Sequence, residues 1–127
     1  MITSLVYDPV FKKHEMGYGH PERPERLEAA LEAIHSSGIL EESVQVVGAR
    51  EADLESIHAV HSKEYVDEVR QCSLRGGGHF TLDTMANVHT YDAAVAAAST
   101  GTAVVDSVMS GGCTNAYVMC RPPGHHA

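Results

Sequence analysis

Ala116-Tyr117-Val118-Met119-Cys120 runs directly into Arg121-Pro122-Pro123-Gly124-His125-His126-Ala127. The short apolar run reads as a buried strand, and the prolines after it cannot continue a sheet. The chain therefore leaves the strand on a stiff Pro-Pro-Gly loop that carries two adjacent histidines. Open α/β sheets keep their chemistry just beyond the carboxyl ends of the strands, so this stretch predicts both a parallel sheet and the position of its site. Neighbouring imidazoles titrate near neutral pH and can move protons in both directions. In hydrolysis one accepts a proton from attacking water. The other, charged or oriented by a carboxylate, stabilises the transition state. A purification-tag remnant is the bland explanation, but His-His-Ala after a Pro-Pro-Gly turn makes a poor tag.

Two further apolar runs, Thr3–Tyr7 and Val44–Val47, match the first in character. All three are nearly continuous rather than alternating, as expected of strands buried on both faces of a parallel sheet. Helical patterns lie between them. Pro21 and Pro24 pre-set a helix start, Leu27, Ala30, Leu31 and Ile34 follow at helical spacing, and Gly38 is a natural stop. Asp53 opens a second pattern with Leu54, Ile57, Ala59 and Val60. Ser62 caps a third, with Tyr65, Val66 and Val69, which runs out at Gly76-Gly77-Gly78. The fourth spans roughly Tyr91–Ser110 and is rich in small residues suited to close packing on a sheet. Strands alternating with helices give an α/β fold with parallel pairing.

A chain of 127 residues forms one domain, 1–127, with a modest core. Its net charge of −8, with no cluster of Lys or Arg, argues against direct nucleic-acid binding. Cys72, Cys113 and Cys120 are odd in number and lack CxxC spacing. They read as reduced thiols of a cytoplasmic protein rather than a disulfide framework or a thiolate zinc site. The N-terminus has no basic signal-peptide region, and no stretch approaches a membrane span.

Other constellations are weaker. In Gly19-His20-Pro21-Glu22-Arg23-Pro24-Glu25-Arg26-Leu27, a helix start with charged first-turn residues accounts for Glu22 and Glu25. Arg26, beside apolar Leu27, is expected to point inward, where a guanidinium must find acceptors or an anion. His58 and His61 lie three apart and could share a helix face and a metal. No HExxH accompanies them, and surface or capping roles suffice for most of the scattered histidines. The glycine run lacks the phosphate-loop pattern, and no serine sits in a nucleophile elbow.

Taken together, these pieces resemble the N-terminal part of the zinc-dependent histone deacetylase superfamily, in its class II-like, acetoin-utilisation and acetylpolyamine amidohydrolase branches. The resemblance rests on Tyr18–Leu27, His58, His61–Val66, Leu82–Thr84 and Arg121–Ala127, which occur in the family's order. It implies an arginase/deacetylase-type parallel sheet of about three strands with flanking helices. It also implies hydrolysis of an N-acetyl group from lysine or a polyamine, with zinc polarising the carbonyl. By matching position, His126 would be the main general base and acid and His125 its electrostatic partner. Arg26 matches the arginine beside the internal channel that passes acetate. Asp83-Thr84 matches a family segment before the long helix and is assigned no catalytic role.

The family's zinc ligands, two aspartates and a histidine, all follow the His-His motif, and this chain ends before them. The expectation is therefore a truncated first lobe, inactive alone, that holds no zinc by itself. The edge of its third strand, Ala116–Met119, would be bare and would recruit a second copy into a homo-oligomer. The rival expectation is a binding or regulatory module that keeps the first lobe without the chemistry. A histidine-rich metal-binding protein is a weaker third.

Overall fold

The computed structural model describes residues 2–41 and 44–124. The elements in chain order are β1 (Thr3–Val6), α1 (Val10–Lys13), α2 (Glu25–Ser36), a 3-10 turn (Ile39–Glu41), β2 (Val44–Val47), α3 (Leu54–His58) and α4 (Lys63–Leu74). A hairpin of β3 (Gly78–His79) and β4 (Met85–Ala86) follows, then α5 (Thr90–Met109) and β5 (Asn115–Val118). The three main strands form a parallel sheet in the order β2-β1-β5. Val6 stands in register with Val47 on one side and Val118 on the other. The three strands, the parallel pairing and the four helical segments agree with the sequence reading, although the second, α3, stops at His58, short of Ala59 and Val60. The one-turn α1 and the short hairpin carry too few residues for periodicity to reveal.

The expectation of strands buried on both faces is met in β1, the central strand, where Ser4, Leu5 and Val6 are all buried. β5 alternates instead, with Asn115 and Tyr117 exposed and Ala116 and Val118 half-buried. It lies at one side of the sheet, and among the described residues it pairs only with β1.

Local sequence sets the helix limits. α2 begins at Glu25 after Pro24 and ends before Gly38, whose φ of +71° suits the left-handed exit. Its Leu27 packs with Leu5, Phe11 and Met119 in the core, with Leu31 and Ile34 against the same cluster. Asp53 caps α3 by accepting the Ser56 N–H, and Ser62 caps α4 by accepting the Tyr65 N–H. α5 lines a small cavity with Ser4 and Val6 of β1 through Thr100, Ala103 and Val104, and its Ala96 and Ala97 reach the core cluster. Its small residues do more than fit closely: buried Ser99 accepts the Asp53 N–H at 2.7 Å, and buried Thr100 accepts the Arg50 N–H at 3.0 Å. These bonds fasten the segment leaving β2 to the long helix.

The glycine run is a joint, not a linker. The backbone at Gly77, with φ +100°, passes so close to the hairpin that a Cβ there would sit 2.2 Å from the Ala86 carbonyl oxygen. Gly76 has a similar φ of +104° but open space around it. Alanine at either position strains the backbone by about 1–3 kcal/mol. Chemical denaturation should show Gly77→Ala as clearly the more damaging, because it adds a clash with backbone. Equal losses would contradict this packing.

Candidate functional site

All three parallel strands end at the same edge of the sheet. One carboxylate joins two of those ends: Asp8 Oδ1 accepts the Val10 N–H at 2.9 Å and Oδ2 accepts the Ala49 N–H at 3.2 Å. The side chain thus starts α1 directly after β1 and holds the chain that leaves β2.

The third strand end is held by Arg121, only 3% exposed. Its Nε and Nη2 donate to Glu22 Oε1 and Oε2, each at 2.6 Å, in a forked pair. Its Nη1 donates to the carbonyls of His14 at 2.8 Å and Phe11 at 3.4 Å. Asn87 Nδ2 donates to the neighbouring Lys13 carbonyl at 2.7 Å. A one-turn helix cannot satisfy its own last carbonyls. Here side chains from distant parts of the chain do so, and a cation suits that negative end.

His14 completes the cluster. Its ring is 2% exposed, with Nδ1 2.9 Å from Thr90 Oγ1 at the start of α5 and Nε2 3.8 Å from Glu22 Oε2. Burial, reinforced by the Arg121 charge, lowers its pKa against the smaller opposing pull of Glu22. Burial alone would raise the Glu22 pKa, but the hydrogen bonds and charge of Arg121, with help from His14 and Arg26, bring it below the ordinary glutamate value. At neutral pH the cluster is an ionised Arg121–Glu22 pair beside a neutral imidazole. The Glu22 N–H also donates to His20 Nδ1 at 3.0 Å, which folds the His20-Pro21-Glu22 turn.

Sequence reasoning missed this centre. Glu22 was expected to be an ordinary first-turn charge, but α2 starts three residues later and Glu22 reaches across to β5. His14 was one of several unremarked histidines. The only local signal was a lone arginine at the end of an apolar run, and nothing in one sequence pairs it with a residue 99 positions away.

The expected site residues fare differently. His125 and His126 lie outside the described residues. The loop that leads to them is described as far as Gly124, whose φ is +75°. The Arg121–Pro122 peptide bond is cis. Arg26 does not point inward: it is exposed on α2 while Leu27 is buried. Successive residues on a helix turn by about 100°, so burying one leaves its neighbour outside. His58 ends α3, whereas His61 lies beyond the helix with its ring 5.6 Å from that of Tyr65. Among the described residues, no three His, Cys, Asp or Glu side chains gather in a group able to hold a metal. The described residues therefore do not fit a zinc site. All three cysteines are free, and burial pushes the Cys120 thiol pKa up, away from a nucleophilic thiolate.

Arg121→Leu leaves the half-buried Glu22 and the Phe11 and His14 carbonyls without their partner and is expected to cost up to roughly 3–5 kcal/mol in equilibrium unfolding. Both shifted groups have folded-state pKa values below their unfolded ones. Their contributions are present above the unfolded values and are lost on acidification. Stability should decline as pH falls below about 6.5 for His14 and again below about 4.3 for Glu22. Glu22→Gln should remove the lower step and deepen the upper one, because it takes away the carboxylate that opposes the lowering of the His14 pKa; an unchanged acid profile would contradict the assignment.

Comparison with known proteins agrees with this architecture. The histone deacetylase domain family matches residues 20–127. A probable deacetylase of Archaeoglobus fulgidus is 37% identical over all of this chain, which spans 35% of that protein. The human polyamine deacetylase HDAC10 is 36% identical over 99% of the chain and is spanned for 20% of its length. The crystal structure of the HDA15 HD domain superposes with a TM-score of 0.90 at 32% identity, covering 99% of this chain and 36% of that one. No described helix is long and apolar enough to cross a membrane. With its parallel sheet, its strand-end loop and residues 20–127 all matching, the chain belongs to the histone deacetylase family.

Proposed function

We propose that this chain is the N-terminal, proton-transfer part of an amide hydrolase that removes acetyl groups from lysine or polyamine amines. The observation that carries the reading is the Arg121–Ala127 element at the carboxyl end of β5, in a chain whose residues 20–127 match the deacetylase domain. In this reading His126 is the main general base and acid, and His125 is its electrostatic partner. Arg26 serves the acetate channel. Its exposure on α2 means that any wall around that channel must come from outside the described residues. The family is zinc-dependent, but the described residues offer no ligand set. This chain alone is proposed to hold no zinc and to turn over no substrate. Its surroundings are the cytoplasm, consistent with three free thiols, and neither nucleic acid nor membrane is a direct partner.

The test is an assay of the purified chain on an acetyl-lysine peptide and on acetylspermidine with added zinc. No turnover above background is expected from the chain alone, and robust turnover would contradict the proposed inactivity. Failure to recover activity when the remaining portion of a related deacetylase domain is supplied would favour the non-catalytic binding module.

Self-association is part of the same proposal. Tyr117 is 63% exposed on β5, whose outer edge has no partner strand among the described residues. Such edges recruit other chains. Light scattering should detect a dimer or larger species, and a clean monomer at high concentration would count against it.

A further inference from the structure

We propose that Arg121 is a positioning residue for the His125–His126 pair, fixing the stem of their loop through the fork to Glu22 and the bonds to α1. The inference rests on the proposed role of that pair in proton transfer.

The argument starts from cost. Removing a guanidinium and a carboxylate from water is expensive, and well-packed apolar residues of similar volume often stabilise a fold as well or better. Stability alone therefore gives a weak reason for this cluster. What an apolar side chain cannot supply is direction. Arginine presents its donors in a rigid planar fork, and here Nε, Nη1 and Nη2 are all engaged at once. Glu22 fixes the plane of the guanidinium, and the Phe11 and His14 carbonyls fix its depth. Glu22 is itself held by its turn onto His20. His14 is held by Thr90, so the N-terminus of α5 is joined to the same point.

Arg121 is the last residue before the loop and lies four positions upstream of His125. Pro122 and Pro123 follow at once, and their rings restrict φ. A fixed Arg121 followed by two stiff residues gives Gly124, and hence the bond to His125, a defined start. Proton transfer needs heavy atoms within about 2.6–3.2 Å, and a misplacement of about 1 Å can cost a hundredfold in rate. A loop rooted in a directional buried pair meets that demand better than one rooted in apolar packing.

The experiment measures order in the intact 127-residue chain by backbone 15N relaxation, without recourse to catalysis. Arg121→Gln should lower the order parameters of residue 121 and Gly124 from about 0.85 to below about 0.6, with β1 and α5 unchanged. Arg121→Lys keeps the charge but not the fork and should give intermediate values. Glu22→Gln, the milder second variant should Arg121→Gln not fold, should also loosen the loop selectively. Lys12→Gln, which breaks the exposed Lys12–Glu28 pair, should leave it unchanged. The proposal is overturned if the loop keeps its wild-type order in Arg121→Gln and Glu22→Gln, or if it is already as loose in the wild type. Neither result depends on whether the chain hydrolyses acetyl-amines, so failure here is separable from failure of the functional reading.

Discussion

The structure depends on one buried cation. Arg121 closes β5, carries the carbonyls at the end of α1, and fixes Glu22 in the turn before α2. Through His14 the same cluster reaches Thr90 and the start of α5. Elements from the beginning, middle and end of the chain thus meet at one guanidinium. A charge in such a place is tolerable only because each group around it is paired, and the low local dielectric that makes the pair strong makes a missing partner costly.

The position of that cluster connects the fold to chemistry. A parallel sheet brings all its carboxyl ends to one side, and the loops there form the natural floor of a site. Asp8 ties the ends of β1 and β2 together, and Arg121 ties the end of β5 to α1 and to the turn before α2. The result is a braced edge with the Pro122-Pro123-Gly124 loop leaving from it. The chain belongs to the histone deacetylase family, and in its own sequence two adjacent histidines follow that loop. They also show how much longer those relatives are, because the chain spans 35% of the Archaeoglobus protein and 20% of human HDAC10.

What the sequence revealed and what it hid follow a physical division. The strands and long helices were legible because burial imposes periodicity on several residues at once. The caps at Asp53 and Ser62 were legible because they act within a few residues of themselves. The Pro-Pro-Gly-His-His loop stood out as local chemistry. The Arg121–Glu22–His14 cluster was hidden because its members are brought together only by tertiary packing. Glu22 had a sufficient local explanation, and His14 had no pattern at all. The exposure of Arg26 was hidden for a related reason: its apolar neighbour Leu27 marks the buried face of α2, and an adjacent helical position faces elsewhere. Burial on both faces failed for β5 because, among the described residues, it lies at the side of the sheet and pairs only with the interior strand β1.

The central claim is that Arg121 and Glu22 act as one unit, and a double-mutant cycle tests it most directly. Equilibrium unfolding of Arg121→Leu, Glu22→Leu and the double variant gives the coupling energy. Each single change strands a charge, buried at Arg121 and half-buried at Glu22, and the double change strands none, so the double variant should be much less destabilised than the sum, with coupling of about 1–3 kcal/mol. Effects that add to within about 0.5 kcal/mol would contradict the account.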